Sequence, residues 1–286
     1  MSKLALKIKK KESNENAPGP VDLSGAVLIA VETHQWGNMK KLTPEKLGKI
    51  SRIKLSNWIN GTKQLMDKKI FADLQSTITK FRNTVKAASL PFPLQSVYIV
   101  PKPKIPELIE ELDLLKDLVQ EMILSIEPDW EAHIEKAEEE LGPEFFNKAD
   151  YPKDIRERFS VDYRLVDISV SLELKEFAPD VYEKEHQKFL QTMEEARKEG
   201  IIFLRQGFFK VISHLTDMLT GEMEDGEKRI VRQDTLNRMD EFFTEFKNKN
   251  IFKDHELENL INQARDTIFG YDAQDIRDSE TLRSIS

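Results

Sequence analysis

Residues 106–126 read PELIEELDLLKDLVQEMILSI, and the fold turns on this stretch. Leu108, Leu112, Leu115, Val119, Met122 and Ile126 recur at alternating steps of four and three. That spacing puts apolar side chains on one stripe of a helix, a heptad seam of nearly three repeats. Around the stripe the helix is acidic: residues 107–140 hold 13 Asp and Glu against 2 Lys and Arg. A seam on an acidic helix, with no catalytic pattern near it, points to a scaffold or an interaction surface. The residues that would serve such a surface are Glu111, Asp117 and Glu121, Glu135 and Glu138 on the continuation of the helix, and Trp36 upstream. Trp36 and Trp58 read equally as core anchors.

Downstream, Pro128 bends or interrupts the helix, because an interior proline loses a hydrogen bond and clashes with the preceding turn. Trp130, Ile134, Ala137 and Leu141 resume the spacing, and Gly142-Pro143 ends it. A second seam runs through Tyr182, His186, Phe189, Met193 and Ala196. After a stutter at Gly200 it continues through Leu204, Phe208, Val211, Leu215 and Met218. This segment, 182–218, is the expected antiparallel partner of the acidic helix. The seam can also be satisfied by a second copy of the chain, and the oligomeric state stays open. Two more amphipathic helices are expected over 230–247 and 256–269, the latter with Asp254 as N-cap. Between the seams, 158–174 reads as a strand. Val161, Tyr163 and Leu165 alternate, then the phase switches to Val166, Ile168, Val170, Leu172 and Leu174, as a β-bulge would produce.

Upstream, Leu23–Thr33 and 94–100 read as short buried strands. Thr43 and Pro44 open a short helix as N-cap and first residue. Ile50–Ile59 is open between strand and helix. Residues 63–88 show a helical period in Leu65, Ile70, Leu74, Ile78, Phe81 and Val85, stopped by Pro91 and Pro93. The PKPKIP stretch is a stiff connector. The fold class that follows is α+β and mainly helical: a long, coiled-coil-like antiparallel helical hairpin with a small sheet at one end. The expected organisation is a disordered basic tail over 1–20, the sheet and acidic helix over 21–180, a helical region packing on them over 181–270, and a polar tail over 271–286.

Composition bounds the function. The chain has 286 residues, 39% apolar and 33% charged, with a net charge of −8, as suits a helix-rich globular protein. No apolar run approaches the roughly 20 residues that a membrane span needs. The N-terminus lacks the apolar core of a signal peptide. No cysteine is present, which removes disulfides, thiolate metal sites and cysteine nucleophiles and fits a cytoplasmic protein. Charge is uneven: residues 1–106 hold 19 Lys and Arg against 7 Asp and Glu, and residues 141–286 hold 22 against 31. The basic N-terminal part opens a nucleic-acid reading, though no aromatic residues are interleaved for stacking.

The chemical motifs fail on their own terms. Gly48-Lys49 lacks the upstream glycine and the Ser/Thr of a phosphate loop. His255-Glu256 is followed by Asn259 where a zinc-binding HExxH needs its second histidine. Glu222, Glu224, Asp225 and Glu227 lack the spacing of a calcium loop. No cofactor and no metal is expected.

VETHQWGNMKKLTPEKLG (31–48) and NKADYPKDIRERFSVDYRLVDIS (147–169) flank the acidic helix in this order. Together they resemble an uncharacterised domain-of-unknown-function family of bacteriophages and integrative elements. The resemblance spans roughly residues 22–280 and implies no catalytic residue. It does imply context, since members often lie near genes for a MoxR-type AAA+ ATPase and a von Willebrand A-like protein. The expected function is a non-enzymatic interaction or scaffold protein of a phage or mobile element, an accessory or adaptor of such an ATPase. A nucleic-acid-binding protein and an unrecognised enzyme are the alternatives.

Overall fold

A computed structural model describes residues 23–51, 61–220 and 233–268. It is about 69% helical with a small antiparallel sheet. In chain order the elements are β1 (Ala26–Gln35), β2 (Met39–Lys41), α1 (Pro44–Ser51), β3 (Thr62–Gln64), α2 (Lys68–Ala88), β4 (Leu90–Pro91), β5 (Val97–Pro101) and α3 (Ile105–Ile126). Then come α4 (Trp130–Phe145), β6 (Phe159–Val166), α5 (Leu172–Phe177), α6 (Pro179–Thr220), α7 (Gln233–Lys249) and α8 (His255–Ile268). One sheet has the strand order β4-β5-β1-β6, and β2 and β3 form a second. The chain divides into two compact units: Met1–Leu28, Ser89–Lys104 and Val166–Ser286 make one, and Ile29–Ala88 with Ile105–Leu165 makes the other.

The second unit is organised by α3. Its buried stripe is Leu108, Leu112, Leu115, Val119 and Ile123. The stripe drifts one position from strict heptad spacing in the last turn, because a straight helix turns every 3.6 residues; Ile123 is buried where the spacing alone pointed to Met122. The seam packs against α2, which turns in Leu74, Ile78, Phe81 and Val85. The spacing had pointed to 182–218 for this role. The two helices run antiparallel: Thr77 Oγ1 donates to Met122 Sδ at 3.5 Å and Thr84 Oγ1 to Glu111 Oε1 at 3.2 Å. α2 begins at Lys68 rather than at 63. Asp67 accepts from the Lys69 and Ile70 backbone N–H groups at 2.8 and 3.3 Å, as an N-cap does, and Lys63 belongs to β3. Pro128 lies in a single 3-10 turn, Glu127–Asp129, between α3 and α4. Gly142, at φ 64°, breaks α4 just before Pro143.

The expected strand over 158–174 holds only to Val166. Beyond it, residues 167–171 are irregular and 172–177 are helical, so there is no bulge at 165–166. Leu-Glu-Leu-Lys-Glu-Phe consists mostly of good helix formers, and they override a weak alternation. Leu90 pairs with Ile99 and Pro91 with Tyr98 in β4 and β5, so the second expected strand is confined to 97–101. Thr43 Oγ1 accepts from the Lys46 N–H at 3.4 Å and caps α1. Of the segment read as strand or helix, 50–51 close α1 and 52–60 lie outside the described residues. So do the expected tails, the Glu222–Glu227 cluster and Ile230.

The first unit is built around α6, which at 42 residues extends about 63 Å. Met193, Ala196, Leu204 and Leu215 are buried in one cluster with Ala26, Leu28, Leu90, Ile99, Phe243, Phe246 and Leu257. At the stutter the stripe steps by four through Gly200. Gly200 is itself buried and continues the stripe from Ala196 to Leu204. A Cβ there would lie 2.5 Å from Phe252 Cε2, and one at Gly207 would lie 2.9 Å from Phe242 Cε2. The glycines let two phenylalanine rings lie on the helix backbone. Asp254 starts α8 as expected, accepting from the Leu257 N–H at 3.2 Å, and also takes a two-pronged pair from Arg205 at 2.7 and 3.0 Å.

Gly200→Ala should destabilise the protein by about 1–3 kcal/mol, since the Phe252 ring has to move. Gly48→Ala, with open space around it, should cost nothing and gain up to about 1 kcal/mol. Urea denaturation of the full chain measures both.

Candidate interaction surface

The helix that buries its seam against α2 leaves its opposite face outward. Leu114 and Leu118, one turn apart, are 65% and 44% exposed there. At 100° per residue they share that face with Glu110, Glu111, Asp117 and Glu121, all exposed. Two leucines inside a ring of carboxylates form an apolar spot with an anionic border. Of the residues singled out from sequence, Glu111, Asp117 and Glu121 lie on this face, with Glu111 also accepting from Thr84. Glu135 and Glu138 are exposed on α4, past the Pro128 turn.

Trp36 is half-buried and does not join this face. Its ring meets Trp130 edge-on at 5.8 Å and Tyr151 at 6.3 Å. Trp130 donates from Nε1 to the Pro152 carbonyl at 3.0 Å and stacks on His133. The packed rings make Trp36 an anchor of its unit. The Tyr151 hydroxyl is buried without a hydrogen-bond partner, and burial raises its pKa.

Leu114 and Leu118 are what sequence reasoning missed. They break the four-three pattern of the seam, and an apolar residue off the seam of an acidic helix is the signal that marks them.

On the side where α3 faces β6, a groove of about 250 Å³ opens, floored by Val119, Ile123, Phe159 and Val161 with Lys116 at its rim. Lys116 pairs with Asp162 at 2.8 Å and lowers the pKa of that carboxyl. Tyr163 donates to Asp113 at 2.8 Å. Burial, together with this bond, pushes the phenol up to about 12. These polar groups are spent on joining β6 to α3. Among the described residues no cluster of three or more His, Asp or Glu is placed to hold a metal ion, and His255 pairs with Glu258 at 3.4 Å. Among the same residues no helix is long and apolar enough to cross a membrane.

The polar centre of this unit is a three-charge cluster. The β2–β3 register sets Lys40 directly opposite Lys63, an unfavourable pairing of like charges. Asp150 takes both, at 3.0 and 2.7 Å, and Lys63 also donates to the Phe145 carbonyl at 2.6 Å. The Lys63 and Asp150 side chains are 6% and 8% exposed. Burial raises the Asp150 pKa, but the bonds from Lys63 and Lys40 outweigh it and hold the carboxyl below its ordinary value of 3.8.

Asp150→Asn should cost about 3 kcal/mol near neutral pH, because it leaves Lys63 buried without its counter-charge. A carboxyl with a lowered folded pKa stabilises above its unfolded value and loses that contribution as pH falls through the folded value. The difference between wild type and variant should therefore be constant above about pH 5 and shrink below pH 3.8. Denaturation over a pH series checks this.

Comparison of the chain with family models, with curated proteins and with solved structures gives no match in any of the three.

Proposed function

We propose that this protein is a non-enzymatic interaction protein whose working surface is the outward face of α3, and that its partner presents a basic amphipathic helix. The observation that carries the reading is the exposure of Leu114 and Leu118 within the ring of Glu110, Glu111, Asp117 and Glu121. A solvated helix face has no use for two leucines one turn apart, whereas a partner helix reads such a pair as anchors. The carboxylates select the partner's charge and speed its arrival, with a salt dependence that follows. The coiled-coil element belongs to the same reading: leucines spaced by four begin a second seam, on the side away from the first. On the resemblance to proteins of phages and integrative elements, the partner is a MoxR-type AAA+ ATPase, met in the cytoplasm of a bacterial host.

The test is fluorescence anisotropy with the full chain and a labelled lysine- and leucine-rich amphipathic peptide, against a scrambled peptide of the same composition. The amphipathic peptide should bind at least about tenfold tighter, a difference of about 1.4 kcal/mol, and Leu114→Asp should remove that preference. Equal binding of the two peptides, or a preference unchanged in the variant, would overturn the reading. Co-elution of a MoxR-type ATPase with the wild type but not with Leu114→Asp supports the partner assignment; its passage with neither ends that assignment.

A further inference from the structure

The turn between α7 and α8 encloses a cleft of about 210 Å³ on a chain that is otherwise acidic. Its floor is apolar, from Phe246 and Ile261, and its walls carry Lys247, Asn250, Lys253 and Arg265. Neither lysine has a carboxylate partner among the described residues. Asn250 is oriented: its Oδ1 accepts from the Asp254 N–H at 2.8 Å, so the amide NH2 is left to donate elsewhere. Arg265 pairs with Asp240 at 3.9 Å. The carboxylate at the wall, Glu258, is turned to His255. Two carbonyls of the last turn of α7 are engaged as well, Phe246 O by the Asn250 N–H and Lys249 O by the Ile251 N–H, each at 2.8 Å. The cleft thus sets two lysines and an oriented amide above an apolar floor.

We propose that this cleft binds a small-molecule phosphomonoester, the phosphoryl oxygens on Lys247, Lys253 and the Asn250 amide and the organic group against Phe246 and Ile261. Two lysines beside an amide donor suit the charge of about −1.5 to −2 and the three terminal oxygens of a phosphomonoester better than the single charge of a carboxylate. The volume suits a phosphoryl group with a small organic substituent and falls below that of a drug-sized pocket. The site lies on residues that the acidic-face reading does not use, so neither stands or falls with the other.

The test is calorimetric titration of the full chain at low salt with phenyl phosphate, inorganic phosphate, benzoate and a phosphoserine peptide. Phenyl phosphate should bind, and at least about fivefold tighter than inorganic phosphate because only it covers the apolar floor. Lys253→Gly and Lys247→Gln should each weaken it about tenfold. Lys253 sits at φ 55°, which glycine adopts freely, so Lys253→Gly removes the charge without unfolding the turn, and an unchanged melting temperature verifies this. No binding of phenyl phosphate, or affinity unchanged in both variants, overturns the proposal. Benzoate binding as tightly overturns the phosphate assignment, and a phosphoserine peptide binding tighter than phenyl phosphate overturns the small-molecule one.

Discussion

The burial of the α3 seam against α2 is the constraint on which the rest of that unit depends. Glu107 and Glu111, Asp113 and Asp117, and Asp117 and Glu121 are like-charged pairs four residues apart, each unfavourable by roughly 0.2–0.5 kcal/mol in an isolated helix. The one opposite-charge pair three or four residues apart, Asp113 with Lys116, does not offset all three. Leu108, Leu112, Leu115, Val119 and Ile123 do, since burying such a side chain contributes about 1.5–3 kcal/mol. The seam therefore tolerates an outward face composed for another purpose, and that face is where the leucines and carboxylates meet. The same seam sets the level of the Pro128 turn and so the direction in which α4 delivers Trp130 to Trp36.

Charge is handled differently at the two polar centres. At Lys40, Lys63 and Asp150 a carboxylate reconciles two lysines that strand pairing forces together. At Arg205, Asp254 and Glu256 a guanidinium serves two carboxylates, one of them also the cap of α8. Both clusters join segments distant in sequence, and both lose a partner on acidification, which gives each unit its own acid-sensitive tie.

Most helices were legible because apolar stripes with a 3.6-residue period over four or more turns leave little choice: α3 with its bend at Pro128, α6 from Tyr182 onward, α8 with its Asp254 cap. What could not be read was which stripe meets which. The stripe of α2 and that of 182–218 are both apolar, and a seam on α3 fits either; the choice is made in three dimensions, by contacts such as Thr77 with Met122 and Thr84 with Glu111. The stretch after Val166 misled because Ile168, Val170 and Leu172 continue an alternation that six helix-forming residues then cancel. Leu114 and Leu118 were hidden in a helix where leucine is common. The Asn250 amide gave no signal at all, since its orientation comes from the backbone of Asp254, four residues on.

The two glycines of α6 carry a dynamic consequence. Gly200 and Gly207 are seven residues apart and lie on one stripe, under Phe252 and Phe242. Each makes the bare helix weaker than alanine would by about 1 kcal/mol, so this long rod is intrinsically softest near its middle. It is held there by the rings of α7 and of the turn before α8. Amide protons in the middle of α6 should then exchange together with those of α7 and α8, as one opening unit, and the centre of the rod would be guarded by its neighbours more than by its distance from the ends.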